Sequence, residues 1–239
     1  MADNDAVNKN GRVYHYMALQ TGPNIVVGSY TGSKTDNRNI TGLPFSPDFL
    51  LIYTGENKDP YFRTSEMTGD ASMDFINGSL QTNRIQAFLA SGFQLGDNDD
   101  INKNGSTYYY IAIRETPKTI DVQSYTGDGT DNRVVSGMDF DPQWVMTKRE
   151  GSNGIHRMLS IVGDKSLYFT NSSANSDRIQ GFGTNSFELG TNNEVNGSGS
   201  AYYSVAFGQP YCEIDGFTVR TDATRKRANN GTLKEKMTG

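Results

Sequence analysis

The chain has 239 residues, a formal net charge of −5 and 35% hydrophobic residues, with 26 glycines, 13 tyrosines and 12 phenylalanines. That apolar content excludes a chain disordered by composition, and the acidic balance opposes binding to a phosphate backbone. No window approaches the ~18 uninterrupted apolar residues of a membrane span, and Cys212 stands alone, so no intrachain disulfide stabilises the fold.

In chain order, the acidic start Met1-Ala-Asp-Asn-Asp-Ala6 argues against a secretory signal peptide. Asn8-Lys-Asn-Gly11 follows, running into Tyr14-His-Tyr-Met-Ala18. The same text returns 94 residues later as Asn102-Lys-Asn-Gly105 with Tyr108-Tyr-Tyr-Ile-Ala112, and 94 later again as Asn196-Gly-Ser-Gly199 with Tyr202-Tyr-Ser-Val-Ala206. Fixed-period similarity means that each copy should fold as the same unit. The rest of the period repeats with slips of one residue, which changed loop lengths would produce. Ser29-Tyr-Thr-Gly32 recurs as Ser124-Tyr-Thr-Gly127, Asp36-Asn-Arg38 as Asp131-Asn-Arg133, Gly69-Asp70 as Gly163-Asp164, and Arg84-Ile-Gln86 as Arg178-Ile-Gln180. Ile214-Asp-Gly-Phe-Thr-Val219 reads as a degenerate third start of the Ile120-Asp-Val-Gln-Ser-Tyr125 strand.

Stretches such as Asn24–Tyr30, Phe49–Tyr53 and Trp144–Thr147 are short, rich in β-branched, aliphatic or aromatic residues, and punctuated by Gly, Pro, Asn and Asp. Only Asn83 to Ala90 hints at a helical period. Short strands with turn signals between them predict an all-β chain, an antiparallel sandwich or jelly roll, built twice. The divisions are an N-terminal extra strand over 1–20, repeats over 21–115 and 116–208, and a C-terminal strand with basic tail over 209–239. Phe93-Gln-Leu-Gly96 leads through the polar loop Asp97 to Ser106 into Thr107–Ile113, which predicts a hairpin. Both faces of that second strand are apolar, which predicts a central position. Arg12 to Leu19 then lacks a partner in its own repeat, and an unpaired edge invites augmentation. It pairs either with the spare strand near Ile214 or with a neighbouring subunit. Tyr14, Tyr16, Ile214, Phe217 and the basic run Arg225, Lys226, Arg227 are therefore the candidate assembly segments. The tail is expected either to stay in solvent or to order along an acidic partner.

Chemistry is sparse. His15 stands where the other copies carry Tyr109 and Tyr203, an aromatic slot, and His156 has no histidine counterpart in the first repeat. Two distant histidines and one cysteine make a poor zinc set. No nucleophile elbow, P-loop or dinucleotide fingerprint is present. Asp70 and Asp164 are better read as turn-forming than as a glycosidase pair. Asp3-Asn-Asp5 and Asp97-Asn-Asp-Asp100 offer hard oxygen ligands for calcium, but Thr191-Asn-Asn-Glu194 is weaker in charge, and a solvated acidic loop is the better reading. No catalytic residue, metal or cofactor is expected.

The combined pattern resembles a repeat of tailed-bacteriophage virion proteins found in fibre, tail-associated and other structural components. Its marks are Gly42-Leu-Pro-Phe-Ser-Pro-Asp-Phe-Leu50, Gly92-Phe-Gln-Leu-Gly96 and Asn102–Ala112, repeated as Gly137–Val145, Ser186-Phe-Glu-Leu-Gly190 and Asn196–Ala206. The likeness spans roughly residues 7–208. It implies lectin-like sandwiches, location in a virion, other virion proteins as partners, and homo-oligomers, because virion components occur in symmetric copies. It brings no catalytic residues, and its motifs specify a fold better than a function. The leading expectation is a non-enzymatic structural component, a capsid decoration or tail-associated protein that binds neither nucleic acid nor membrane. A carbohydrate-binding module taking a host surface glycan is the second, and a polysaccharide hydrolase the third.

Overall fold

A computed structural model describes residues 9–170 and 172–209, together with the backbone of two further strands at 211–214 and 217–220. Eight strands form the first unit: β1 (Ile25–Thr31), β2 (Arg38–Thr41), β3 (Phe49–Thr54), β4 (Tyr61–Thr64), β5 (Met73–Asp74), β6 (Ile85–Leu89), β7 (Gly92–Leu95) and β8 (Thr107–Ile113), with a one-turn helix α1 (Asp99–Asn102) before β8. The second unit repeats them as β9 (Ile120–Thr126), β10 (Arg133–Ser136), β11 (Pro142–Lys148), β12 (Ile155–Met158), β13 (Leu167–Tyr168), β14 (Ile179–Gly183), β15 (Ser186–Leu189) and β16 (Ala201–Gly208), with α2 (Asn193–Asn196) before β16. The strand orders match: β1-β8-β3-β4-β5 facing β2-β7-β6, and β9-β16-β11-β12-β13 facing β10-β15-β14. All pairings are antiparallel, and β6 and β14 carry a register shift at the same place, Ile85/Ala87 and Ile179/Gly181. The duplication read from spacing is a duplication of topology.

Each unit closes around its own core. Leu50, Ile52, Tyr108 and Ala112 from the five-stranded sheet meet Ile85, Phe93 and Leu95 from the three-stranded one. Val145, Ile155 and Ala206 meet Val135, Ile179, Phe187 and Leu189 in the second unit. A third cluster joins the units: Phe49, Phe62, Met73, Phe75 and Ile113 pack with Val122, Trp144, Met146 and Val205. The two five-stranded sheets therefore bury part of their outer faces against each other, leaving Val27, Tyr53 and Tyr109 of the first unit exposed, and the molecule has four layers. Period-2 alternation explains how β8 serves both cores: Tyr108 and Ala112 point into its own unit, Ile111 and Ile113 toward the other.

Four expectations change. The predicted hairpin does not form, because β7 pairs with β2 and β6 while β8 pairs with β1 and β3 in the opposite sheet. The loop between them contains α1, capped by Asn98 accepting from the Asp100 N–H at 2.8 Å, which carries the chain from one layer to the other. Two apolar faces demand a central place in a covered sheet, and that demand outweighs sequence adjacency. Asn83 to Ala90 is not helical but contains β6. Arg12–Leu19, expected as an added strand, enters no ladder among the described residues. Ile214 does not pair with it either. β17 (Tyr211–Ile214) and β18 (Phe217–Arg220) pair with each other, Ile214 opposite Phe217, so the supposed third start is two strands.

Candidate functional site

The most conspicuous sequence motif is a loop fastener. Asn102, the last residue of α1, is fully buried. Its Nδ2 donates to the carbonyl oxygens of Thr35 and Gly96 at 2.9 and 2.7 Å, and its Oδ1 accepts from the Ser33 N–H at 2.9 Å and Arg38 Nη1 at 3.2 Å. Asn196 repeats this with Thr130, Gly190, the Asp128 N–H and Arg133. Above each asparagine an arginine lies over a stacked tyrosine pair: Arg38 over Tyr30, with Tyr30 and Tyr108 centroids 5.3 Å apart, and Arg133 over Tyr125, with Tyr125 and Tyr202 4.9 Å apart. The Asp-Asn-Arg and Arg-Ile-Gln motifs also meet, Gln86 donating to Asp36 and Gln180 to Asp131, each at 3.0 Å. Asn37 and Asn132 occupy left-handed backbone at φ 54° and 58°, where asparagine is tolerated.

The repeated aspartates are structural as well. Asp70 accepts from the Asn83 N–H at 2.9 Å and Asp164 from the Asp177 N–H at 3.0 Å, tying loops thirteen residues apart. The acidic loop is internally paired: Asp99 with Lys34, Asp100 with Lys58 and Arg84, and Asp97 with the Asn83 amide. Among the described residues no group of three or more His, Cys, Asp or Glu could hold a metal ion. Asp3 and Asp5 lie outside the described residues.

The structure brings together two histidines that the sequence leaves far apart. His15 lies 3.1 Å through Nδ1 from Ser160 Oγ, close enough to His156 to disfavour its charge. Burial is the larger cause, and the His156 pKa is pushed down to about 4. Its Nδ1 faces Trp144 Nε1 at 3.3 Å, which suits an imidazole kept neutral. His156 stands where unit 1 has Phe62, in the same aromatic ladder: Phe62–Phe75 at 4.8 Å and His156–Phe169 at 4.6 Å.

Sequence reading missed the buried arginine hub. Arg63 donates to the carbonyl oxygens of Met67, Gly69, Ala71 and Ile85, and Arg157 to those of Ile161, Gly163, Lys165 and Ile179. The signal was present, since Arg63 and Arg157 are also 94 residues apart.

Two surface features remain. A cavity of about 900 Å³ lies between residues 16–25 and the second unit, walled by Trp144, Met158, Leu159, Phe207 and Ile120, with Tyr16 at its lip. Tyr53 and Tyr109 stack at 5.5 Å on an open part of the β1-β8-β3 face, 41% and 42% exposed. Of the candidate assembly residues, Tyr14 accepts from the Lys9 N–H at 2.8 Å and Tyr16 is exposed. Ile214 and Phe217 sit in the β17–β18 pair, and Arg225, Lys226 and Arg227 lie outside the described residues. No family model, curated protein or solved structure matches the chain. No helix among the described residues is long and apolar enough to cross a membrane.

Proposed function

We propose that the protein is a non-enzymatic structural component of a bacteriophage virion, a capsid decoration or tail-associated protein acting through contacts with other virion proteins and with copies of itself. One observation carries this reading. The repeated Asn102/Asn196 and Arg63/Arg157 side chains are committed to holding loops. A scaffold whose repeated chemistry is internal acts through its surface. Mass spectrometry of purified particles tests the proposal: the protein should copurify at fixed stoichiometry, and its absence from particles eliminates the virion role.

A carbohydrate-binding role in host adsorption is the alternative, and the exposed Tyr53–Tyr109 stack favours it. Flat aromatic faces beside exposed Ser29 and Thr107 hydroxyls suit the apolar face and rim of a sugar ring. A glycan array should then show binding that Tyr109→Ala abolishes, and no signal above background removes this reading.

A further inference from the structure

The outer face of the second unit is covered unevenly. Unit 1 packs on Val122 and Val205, whereas residues 16–25 span the rest without filling it, which leaves the cavity of about 900 Å³ walled by Trp144, Met158, Leu159 and Phe207. A space of that size with apolar walls suits an apolar occupant. Its rim is apolar too, with Leu159 55% and Tyr16 86% exposed. The main chain leaves the second unit at this point. The Gly208 N–H donates to the Thr119 carbonyl at 2.8 Å, Gln209 lines the cavity, and Pro210 alone separates Gln209 from β17.

Asp215-Gly216 between β17 and β18 is a two-residue hairpin signal, and the register sets Cys212 opposite Val219 and Ile214 opposite Phe217. Residues directly opposite share a face, so alternation puts these four on one side and Tyr211, Glu213, Thr218 and Arg220 on the other. The two strands form a sheet by themselves. A lone hairpin is marginal in water and gains stability only when its apolar face is covered. We propose that the β17–β18 hairpin seats this face on the cavity of its own chain, closing the space between residues 16–25 and the second unit. A one-residue tether holds the hairpin beside that cavity at high effective concentration, ahead of any separate molecule.

Charge at the exit gives independent support. Residues 220–239 hold six Lys or Arg against two Asp or Glu, a net +4, so the remainder of a chain of −5 carries −9. Acids gather where β16 ends beside the start of β9. Asp121 lies opposite Ala206, and Asp139 accepts from the Lys118 N–H at 2.8 Å, just before β9. Burial, with the charges of Asp139 and Glu66, pushes the Asp121 pKa up to about 6, and its Oδ2 has no hydrogen-bond partner. Glu115 is raised by burial and by the same neighbours. Seating the hairpin brings Arg220, opposite Tyr211 at its base, to this acidic end of the sheet.

This contact is independent of any role in a virion. Cys212 is the single thiol and falls on the seated face, so its rate of alkylation by N-ethylmaleimide in the full chain reads the docking. In the wild type it should react about tenfold more slowly than in Ile214→Ser with Phe217→Ser, which removes an apolar pair from the hairpin. Leu159→Glu on the cavity wall and Met17→Ser on the covering segment should speed the reaction to a similar degree while leaving the hairpin unaltered. Emission of Trp144, the single tryptophan, should shift to the red in the same variants as water enters. Circular dichroism separates opening from loss of fold. Protection that holds on wide dilution places the hairpin on its own chain. Protection lost on dilution assigns the cavity to a second copy, and fast alkylation in the wild type, or protection that survives Leu159→Glu, leaves it to another occupant; each of these overturns the proposal.

Discussion

Replacing Arg63 with methionine tests whether a guanidinium without a carboxylate partner holds the end of each sandwich. Arg63 is 7% exposed and donates through Nη2 to Met67 and Gly69 at 3.0 and 2.8 Å, and through Nη1 to Ala71 and, at 3.4 Å, Ile85. Methionine keeps the apolar stem but leaves the three closer carbonyls without a donor, and an orphaned buried acceptor costs about 1–3 kcal/mol. The 67–71 loop borders solvent, so the low end applies, and the three sum to about 3 kcal/mol. Burial opposes the charge and draws the guanidinium pKa down, so removing it returns part of that sum. The net expectation is a loss of about 2–3 kcal/mol. Arg63→Lys keeps the charge but not the fork and should lose about half as much. Arg157 makes the same set of bonds, so Arg157→Met should cost the same within about 0.5 kcal/mol. Urea unfolding followed by circular dichroism and by the single Trp144 measures all three variants. A loss below about 1 kcal/mol for either methionine variant, or clearly unequal losses between them, would refute the reasoning.

Asn196→Asp replaces two buried donations, to Thr130 and Gly190, with a carboxylate that cannot donate, and should lower stability by about 3 kcal/mol in thermal unfolding. Gly32→Ala sets a Cβ 2.0 Å from the Lys103 carbonyl oxygen and should cost about 2–3 kcal/mol, while Gly55→Ala, with open space around it, should be near neutral by the same measurement. The His156 pKa falls from 6.5 to about 4 on folding, so the unfolded chain binds more protons between those values. Stability therefore rises with pH across that window and is lost as pH falls through it. His156→Phe, the unit 1 residue at that place, should flatten this limb by on the order of 2 kcal/mol in pH-dependent denaturation, and an unchanged limb would assign it to other groups.

What the sequence made legible was local or periodic. The 94-residue spacing fixed the number of units, and alternation in Thr107–Ile113 placed that strand centrally, because both readings depend on neighbours along the chain. Strand partners were another matter. Phe93–Gly96 and Thr107–Ile113 are adjacent in sequence yet lie in different layers, since the Asn98 cap starts a helical turn between them. The fastener roles of Asn102 and Arg63 were hidden for a related reason, because their partners are backbone carbonyls, which carry no side-chain signature. His15 beside Ser160 could not be foreseen, as its contact spans 145 residues and rests on how the units pack.

The same logic explains a residue choice that runs against simple burial. Tyr53 and Lys148 occupy matching positions, yet the tyrosine is 41% exposed and the lysine fully buried. Burial draws the Lys148 pKa down to about 8, an ammonium held by the Arg149 carbonyl at 2.7 Å and by the charge of Asp74 across the unit boundary. Unit 2 has Tyr168 where unit 1 has Asp74, and the tyrosine hydroxyl donates to Glu194 at 2.7 Å. Tyr53 instead stacks on the ring of Tyr109 at 5.5 Å. The inversion follows from what each position meets within the chain: an acid across the unit boundary for Lys148, and the ring of Tyr109 on an open face for Tyr53.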